Sequence, residues 1–226
     1  MGIAKKILST PKMRLKSGII PRMKIENRKT IQVGSYCVNC TVVESGGGAW
    51  IVDPGSEAER IAAICEKAGA VPRGILLTHA HFDHVGAVER LQKAYSGLAV
   101  YLGKADFPVI SHPFNQMPPE YPPAPVPSNL VAAEELEGVR VIPTPGHTPG
   151  GVCYYFEEDG VLFSGDTLFA GSVGRTDLPG GDMATLMASL AKLTELPDDT
   201  FVIPGHGMVT TIGREKASNP FIAAGA

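Results

Sequence analysis

Within LLTHAHFDHVGA (residues 76–87), His79, His81, Asp83 and His84 fall inside six positions, straight after an apolar run. Burying four such side chains together is unfavourable unless something charged holds them, because polar groups lose their hydration in the interior. A metal ion is the group that would do so, since imidazoles and carboxylates are ordinary metal ligands. Three further candidates occur in matching contexts: His147 in IPTPGHTPGG, Asp166 in VLFSGDTLF and His206 in FVIPGHG. Each ends a β-type run and is flanked by Gly or Pro, which suits tight loops where sites are usually built. Five of the six histidines therefore sit at strand–loop junctions, whereas His112, in a proline-rich stretch, reads as a structural or surface residue. His79, His81 and His84 cannot all project from one helix, because they follow a strand end and Gly86 comes soon after. A loop entering a helix would instead turn His79 and His81 toward one ion and Asp83 and His84 toward a neighbouring one.

The elements that must position these residues alternate along the chain. IQVGSYCVNCTVVES and GAWIVDPG read as two strands around a turn at Gly46–Gly48. SEAERIAAICEKAG reads as a helix, with Ser56 as its N-cap, Ile61, Ile64, Cys65 and Ala68 on one face, and Gly69 as its stop. RGILLT is a short buried strand ending at the histidine cluster, GAVERLQKAYSG a helix just beyond it, and LAVYLG a strand again. Residues 105–127 carry eight prolines with Phe107, Phe114 and Tyr121 between them. They can be neither helix nor central strand, and read as a solvated linker or as a lid or binding rim in which the aromatics pack. Strands resume with GVRVIPTPG, GVCYYFEE and GVLFSGDT, followed by the helix DMATLMASLAKL capped by Asp182 and the strand TFVIPGHG. This βαβ alternation predicts an α/β fold with helices packed on sheet, and the second half repeats the plan of the first.

At 226 residues, 44% hydrophobic and 19% charged, the chain can bury one sizeable core, and no apolar run is long enough to span a membrane. Four cysteines do not make a disulfide framework in a chain of this length, so a cytoplasmic setting is expected. Cys37 and Cys40 form a C-x-x-C, but residues three apart in a strand point to opposite faces and cannot share an ion. The net charge of −3 conceals an asymmetry: residues 1–29 hold nine of the twenty Lys and Arg and one acid, leaving 11 basic against 22 acidic residues beyond. Residues 1–29 are therefore read as a basic N-terminal extension and 30–226 as the domain. The acidic body offers nucleic acid no phosphate contacts outside that extension, and none is expected as a partner. No covalent nucleophile stands out either, because neither Ser164 nor Ser172 has a base placed beside it.

THAHFDH, then His147, Asp166 and His206, all preceded by IVDPG, resembles the metallo-β-lactamase superfamily in the identity and order of five motifs between about Val33 and Pro220. The resemblance implies an αββα sandwich, two mixed β-sheets flanked by helices, with the site at one edge. It implies that His79, His81 and His147 hold a first ion and Asp83, His84 and His206 a second. Asp166 would bridge them, and Asp53 would orient a ligand from behind. SGDTLFAGSVGRTDLPGGD and PGHGMVTTIGREKASNPF are similar to the glyoxalase II-like (hydroxyacylglutathione hydrolase-like) enzymes, particularly the short bacterial ones. The larger glyoxalase II enzymes have a further helical region that helps bind glutathione, for which the residues up to Ala226 leave no room. Where that family places a Lys for a glutathione carboxylate this chain has Arg175, whose guanidinium could still clamp a carboxylate. The family's aromatic residue two positions on is Asp177, so an internal Arg175–Asp177 ion pair is an equal reading.

The expected chemistry is hydrolysis of a small-molecule thioester such as S-D-lactoylglutathione by a metal-bridging hydroxide, with Asp83 both ligand and orienting group. Two divalent ions are implied, zinc first, with iron or manganese as alternatives. The main rival is an oxidoreductase, a persulfide dioxygenase using one iron on His79, His147 and Asp166, since those enzymes resemble the chain in the same motifs. Electron-transfer di-iron relatives carry Glu where this chain has His81, and the glyoxalase-like ending argues against a β-lactamase. The natural acyl and thiol groups and the oligomeric state are not legible.

Overall fold

The computed structural model describes residues 22–223. One six-stranded sheet runs in the order β1-β2-β3-β4-β5-β6, with β1 (Asn27–Val33), β2 (Val38–Ser45), β3 (Gly48–Val52), β4 (Pro72–Leu76), β5 (Ala99–Leu102) and β6 (Leu130–Ala132). Its first three strands are antiparallel and the rest parallel, because β3, β4 and β5 are joined through helices α1 (Ala58–Ala68), α2 (Phe82–Val85) and α3 (Val88–Ala94). The second half supplies β7 (Arg140–Pro143), β8 (Val152–Phe156), β9 (Val161–Gly165), a small hairpin β10 (Leu168–Phe169) and β11 (Ser172–Val173), β12 (Phe201–Pro204) and β13 (Thr210–Thr211). These form a five-stranded sheet ordered β13-β12-β9-β8-β7, flanked by α4 (Met183–Thr194), α5 (Ile212–Ser218) and α6 (Pro220–Ala223).

Three apolar clusters account for the layering. Val43, Trp50, Val52 and Leu76 of the first sheet pack on Tyr154, Phe156, Phe163 and Ile203 of the second. Ile61 and Cys65 of α1 and Leu91 of α3 cover the outer face of the first sheet through Val42, Ile51 and Ile75. Leu186, Leu190 and Leu193 of α4 cover the second through Cys153, Tyr155 and Leu162. The result is a four-layer αββα sandwich in which β3, β8 and β9 are buried on both faces. Each large apolar side chain sealed in these layers contributes about 1.5–3 kcal/mol. Among the described residues no helix is long and apolar enough to cross a membrane.

Three local expectations change. IQVGSYCVNCTVVES is not one strand: the chain reverses at residues 34–37, with Gly34 and Cys37 both in left-handed conformations, and β1 pairs back on β2. Cys37 therefore lies exposed in a turn while Cys40 is buried in β2, which separates them by topology rather than by strand alternation. Ser56 does not cap α1; the N-cap position is Glu57, which makes no side-chain cap bond, while Gly69 ends the helix in a left-handed conformation as expected. At α4 the expected cap is present, Asp182 accepting from Thr185 N at 2.7 Å. Residues 1–21 of the basic extension lie outside the described residues. Of residues 22–29, Asn27, Arg28 and Lys29 belong to β1, and the residues before them pack on the domain, with Met23 N donating to Gly138 O, Ile25 N donating to Asp159 Oδ2, and Arg22 paired with Glu157 at 2.8 Å.

Candidate metal centre

Every residue singled out for a metal follows the carboxyl end of a strand. Asp53 follows β3, the His79–His84 stretch follows β4, Asp166 follows β9, His206 follows β12, and His147 lies in the β7–β8 connection. Strands β3 and β4 are parallel neighbours in one sheet and β9 and β12 in the other, so their ends open onto one edge of the sandwich. There all seven candidate ligands meet. Donor atoms of His79, His81 and His147 lie within 4.8 Å of one another, as do those of Asp83, His84 and His206 and those of His79, His84 and Asp166. The Asp166 carboxylate faces both ends, with Oδ2 3.6 Å from His147 Nε2 and 3.5 Å from His206 Nε2, and Oδ1 3.5 Å from His84 Nε2. Asp83 Oδ2 stands 3.3 Å from His206 Nε2.

The rings are aimed by what their outer nitrogens touch. His79 Nδ1 lies 3.1 Å from Thr78 Oγ1, His147 Nδ1 donates to Arg175 O at 2.7 Å, and His206 Nδ1 donates to Tyr36 O at 2.9 Å. His84 Nδ1 is 3.1 Å from Asp53 Oδ2. Asp53, itself left-handed at φ 46°, is fixed by Thr78, whose N–H and hydroxyl donate to its two oxygens at 2.8 and 2.7 Å. Such outer partners set tautomer and ring orientation. The approach is close enough to require glycine at position 205, where a Cβ would run into Asp166 Oδ1 and stand 2.8 Å from His84 Cε1.

The electrostatics differ from ligand to ligand. Burial, aided by the other imidazoles, holds His79 far below the usual histidine range and His81 down to about 3, so both are neutral lone-pair donors. Burial also acts against a charge on His84, yet the carboxylates of Asp166, Asp83 and Asp53 outweigh it and hold His84 up to about 10. Asp83 resists the upward push of burial because His84 and His206 hold it down to about 2. Three carboxylates around one imidazole form a pocket that calls for positive charge. The buried Nε2 atoms of His79, His81 and His147 and Asp166 Oδ1 have no hydrogen-bond partner. Buried polar atoms are rarely left so; a divalent cation would satisfy the three imidazole nitrogens at once, and the donor set fits one.

The model of the metallo-β-lactamase superfamily matches residues 36–206. This chain belongs to that superfamily. It is 39% identical over 208 residues to the hydroxyacylglutathione hydrolase GloC of Haemophilus influenzae, covering 87% of this chain and 98% of the relative. The solved structure of the B3 metallo-β-lactamase BLEG-1 superposes with a TM-score of 0.79 at 39% identity, covering 87% of this chain and 99% of that one. TTHA1623 in a di-iron-bound form superposes with a TM-score of 0.78 at 43% identity, covering 85% and 99%.

Around this metallo-β-lactamase-type centre, the remaining sequence candidates separate. Arg175 lies on the rim beside His147, but its Nε and Nη2 donate to the two oxygens of Asp177, both at 2.7 Å, in an exposed bidentate pair. Asp177 pairs with that guanidinium. His112 is exposed, and its ring lies 4.4 Å from that of Phe114, tilted by 47°. Sequence reasoning missed Thr78, the Tyr36 carbonyl, and Asn39, whose amide holds Pro204 O and Gly207 O on either side of His206 at 3.0 Å each. It missed Asp106 and Asn115 as well. Thr78 had a signal in its place beside His79; the others act across more than twenty residues of sequence and had none.

Proposed function

We propose that the chain is a binuclear metallohydrolase that cleaves small-molecule thioesters, with S-D-lactoylglutathione the first candidate substrate. The observation that carries this reading is the pair of donor trios facing one Asp166 carboxylate. His79, His81 and His147 would hold one ion, Asp83, His84 and His206 the other, and Asp166 would reach both. Two divalent cations there would acidify a shared water and polarise the carbonyl it attacks. Asp83, ionised at any physiological pH, would accept a proton of the incoming water and keep its lone pair directed at the carbonyl carbon. Water adds to that carbon, the C–S bond breaks, and a carboxylic acid and a thiol leave. A thiolate departs readily, so the site needs no strong general acid. Similarity to a hydroxyacylglutathione hydrolase over nearly its whole length supports the thioester class.

For substrate recognition we propose that Arg175 uses its free Nη1 edge for an anionic group on the thiol moiety, with Asp177 holding the guanidinium in place. Zinc is the proposed resident metal. The di-iron relative favours testing iron beside it, with manganese a third choice. All four cysteines are free, in keeping with a cytoplasmic setting.

The test is hydrolysis of S-D-lactoylglutathione by protein of measured metal content, with His79→Ala as control. Loss of the thioester that disappears in the variant supports the reading. No turnover by metal-loaded protein would sink it. Oxygen consumption with glutathione persulfide, in a protein holding one iron, would put the dioxygenase reading in its place.

A further inference from the structure

The segment between β5 and β6, rich in proline and exposed along much of its length, sends two polar side chains inward: Asp106, fully buried, and Asn115, 1% exposed. Asp106 ends the short turn Lys104–Asp106. Its Oδ2 accepts from Ala80 N at 3.0 Å and Thr148 Oγ1 at 2.8 Å, and its Oδ1 accepts from Gly150 N at 2.6 Å. Ala80 sits between His79 and His81, and Thr148 directly follows His147. One carboxylate thus joins a loop of the first sheet to a loop of the second, and these are the two loops that bring the His79–His81–His147 trio together. Asn115 completes the arrangement: Oδ1 accepts from Phe82 N at 2.8 Å and Nδ2 donates to Ala80 O at 2.7 Å, so the backbone is held on both sides of His81.

The contact is built in at the backbone. A Cβ on Gly103 would collide with Gly150 O, and a Cβ on Gly150 would collide with Asp106 N and approach Asp106 Cβ to 2.8 Å. Two glycines are therefore needed to seat the Asp106 turn on the His147 loop. Asp106 makes no hydrogen bond to Asp83, His84 or His206.

We propose that Asp106 is the positioning residue of the first trio. It fixes the separation of His79 and His81 from His147, Asn115 fixes the backbone at His81, and the affinity of the first ion depends on this brace while that of the second does not. A ligand set drawn from two sheets holds an ion tightly only where its support keeps each donor within about 0.5 Å of the required place. The proposal rests on the reading of His79, His81 and His147 as ligands, and the test separates the two.

Metal-stripped wild type, Asp106→Ala, Asp106→Asn, Thr148→Val and Gln116→Ala would be titrated with Zn2+ against a chromophoric chelator, with near-ultraviolet circular dichroism and melting of the stripped proteins as folding readouts. Wild type and Gln116→Ala, a change in the same segment away from the brace, are expected to bind two ions alike. Asp106→Ala should weaken one ion by roughly 10–100-fold and leave the other unchanged, with Asp106→Asn in between. Adding Asp106→Ala to His147→Ala should bring no further loss, because both act on the same ion. If Asp106→Ala does not fold, Thr148→Val, which removes one of the three bonds, should still weaken the same ion about two- to tenfold. Wild-type affinity in the folded Asp106 and Thr148 variants, or equal weakening of both ions, would overturn the brace. A wild type that binds no zinc would overturn the ligand reading, and the brace with it.

Discussion

His79, His81 and His147 are each at most 6% exposed, and their inward-facing nitrogens meet no hydrogen-bond partner. At the other end of the same centre the His206 side chain is 26% exposed, and His84 and His206 each stand within ion-pair distance of both Asp83 and Asp166. The first end is a buried set of imidazoles, of which His79 and His81 are held neutral, and its three partnerless nitrogens suit an electrophile. The second end balances acid against base and remains partly open to water. The difference teaches that the seven candidate ligands in one cluster are held by more than one kind of support. Hydroxyl and carbonyl dipoles stand behind His79 and His147, whereas a buried carboxylate, Asp53, stands behind His84.

Asp166 is the candidate ligand that faces both ends, so Asp166→Ala should erase the difference between them. Metal analysis after dialysis is expected to show both ions lost, with turnover reduced by roughly 10²–10⁴-fold or more, the scale of several kcal/mol of lost charge stabilisation. Asp53→Asn should act on one end alone. It removes the charge behind His84, and chelator competition should show the second ion weakened by roughly 10–100-fold while the first is retained. Equal loss at both ends would show that the two supports are not separable.

In the metal-free protein the two ends should give opposite pH dependences of stability. His81 is held down to about 3 in the fold, against 6.5 for the ordinary side chain, so the folded state binds fewer protons between those values. Its contribution is present above pH 6.5 and is lost as pH falls toward 3. His84 is held up to about 10, so its contribution is complete below pH 6.5 and is lost as pH rises toward 10. Guanidinium melts from pH 4 to 10 should therefore flatten on the acid limb in His81→Gln and on the alkaline limb in His84→Gln. The smallest effect belongs to the rim. Asp177→Asn frees the guanidinium of Arg175, and KM for an anionic thioester should change by no more than roughly fivefold, with kcat and melting temperature unmoved.

The sequence by itself determined the candidate ligand types and the elements that present them. His79, His81, Asp83 and His84 are marked by their crowding straight after an apolar run, and His147, Asp166 and His206 by a β-type run that ends beside Gly or Pro; local patterns survive in one dimension. The Asp182 cap and the Gly69 stop are legible for the same reason, since the groups they bond lie within a few residues. What only the tertiary structure decided is how those ligands are supported. The reversal at Gly34–Cys37, hidden inside an apolar run, turns the Tyr36 carbonyl toward His206 across 170 positions. Asp106 reaches Gly150 across 44 positions, from a segment whose prolines pointed to a lid or a linker. The choice between a free Arg175 and one paired with Asp177 was likewise open until the loop closed. The first two depend on distant segments arriving within 3 Å of each other, a distance that packing of the sheets sets and residue type does not encode; the third depends on how one loop folds over two positions.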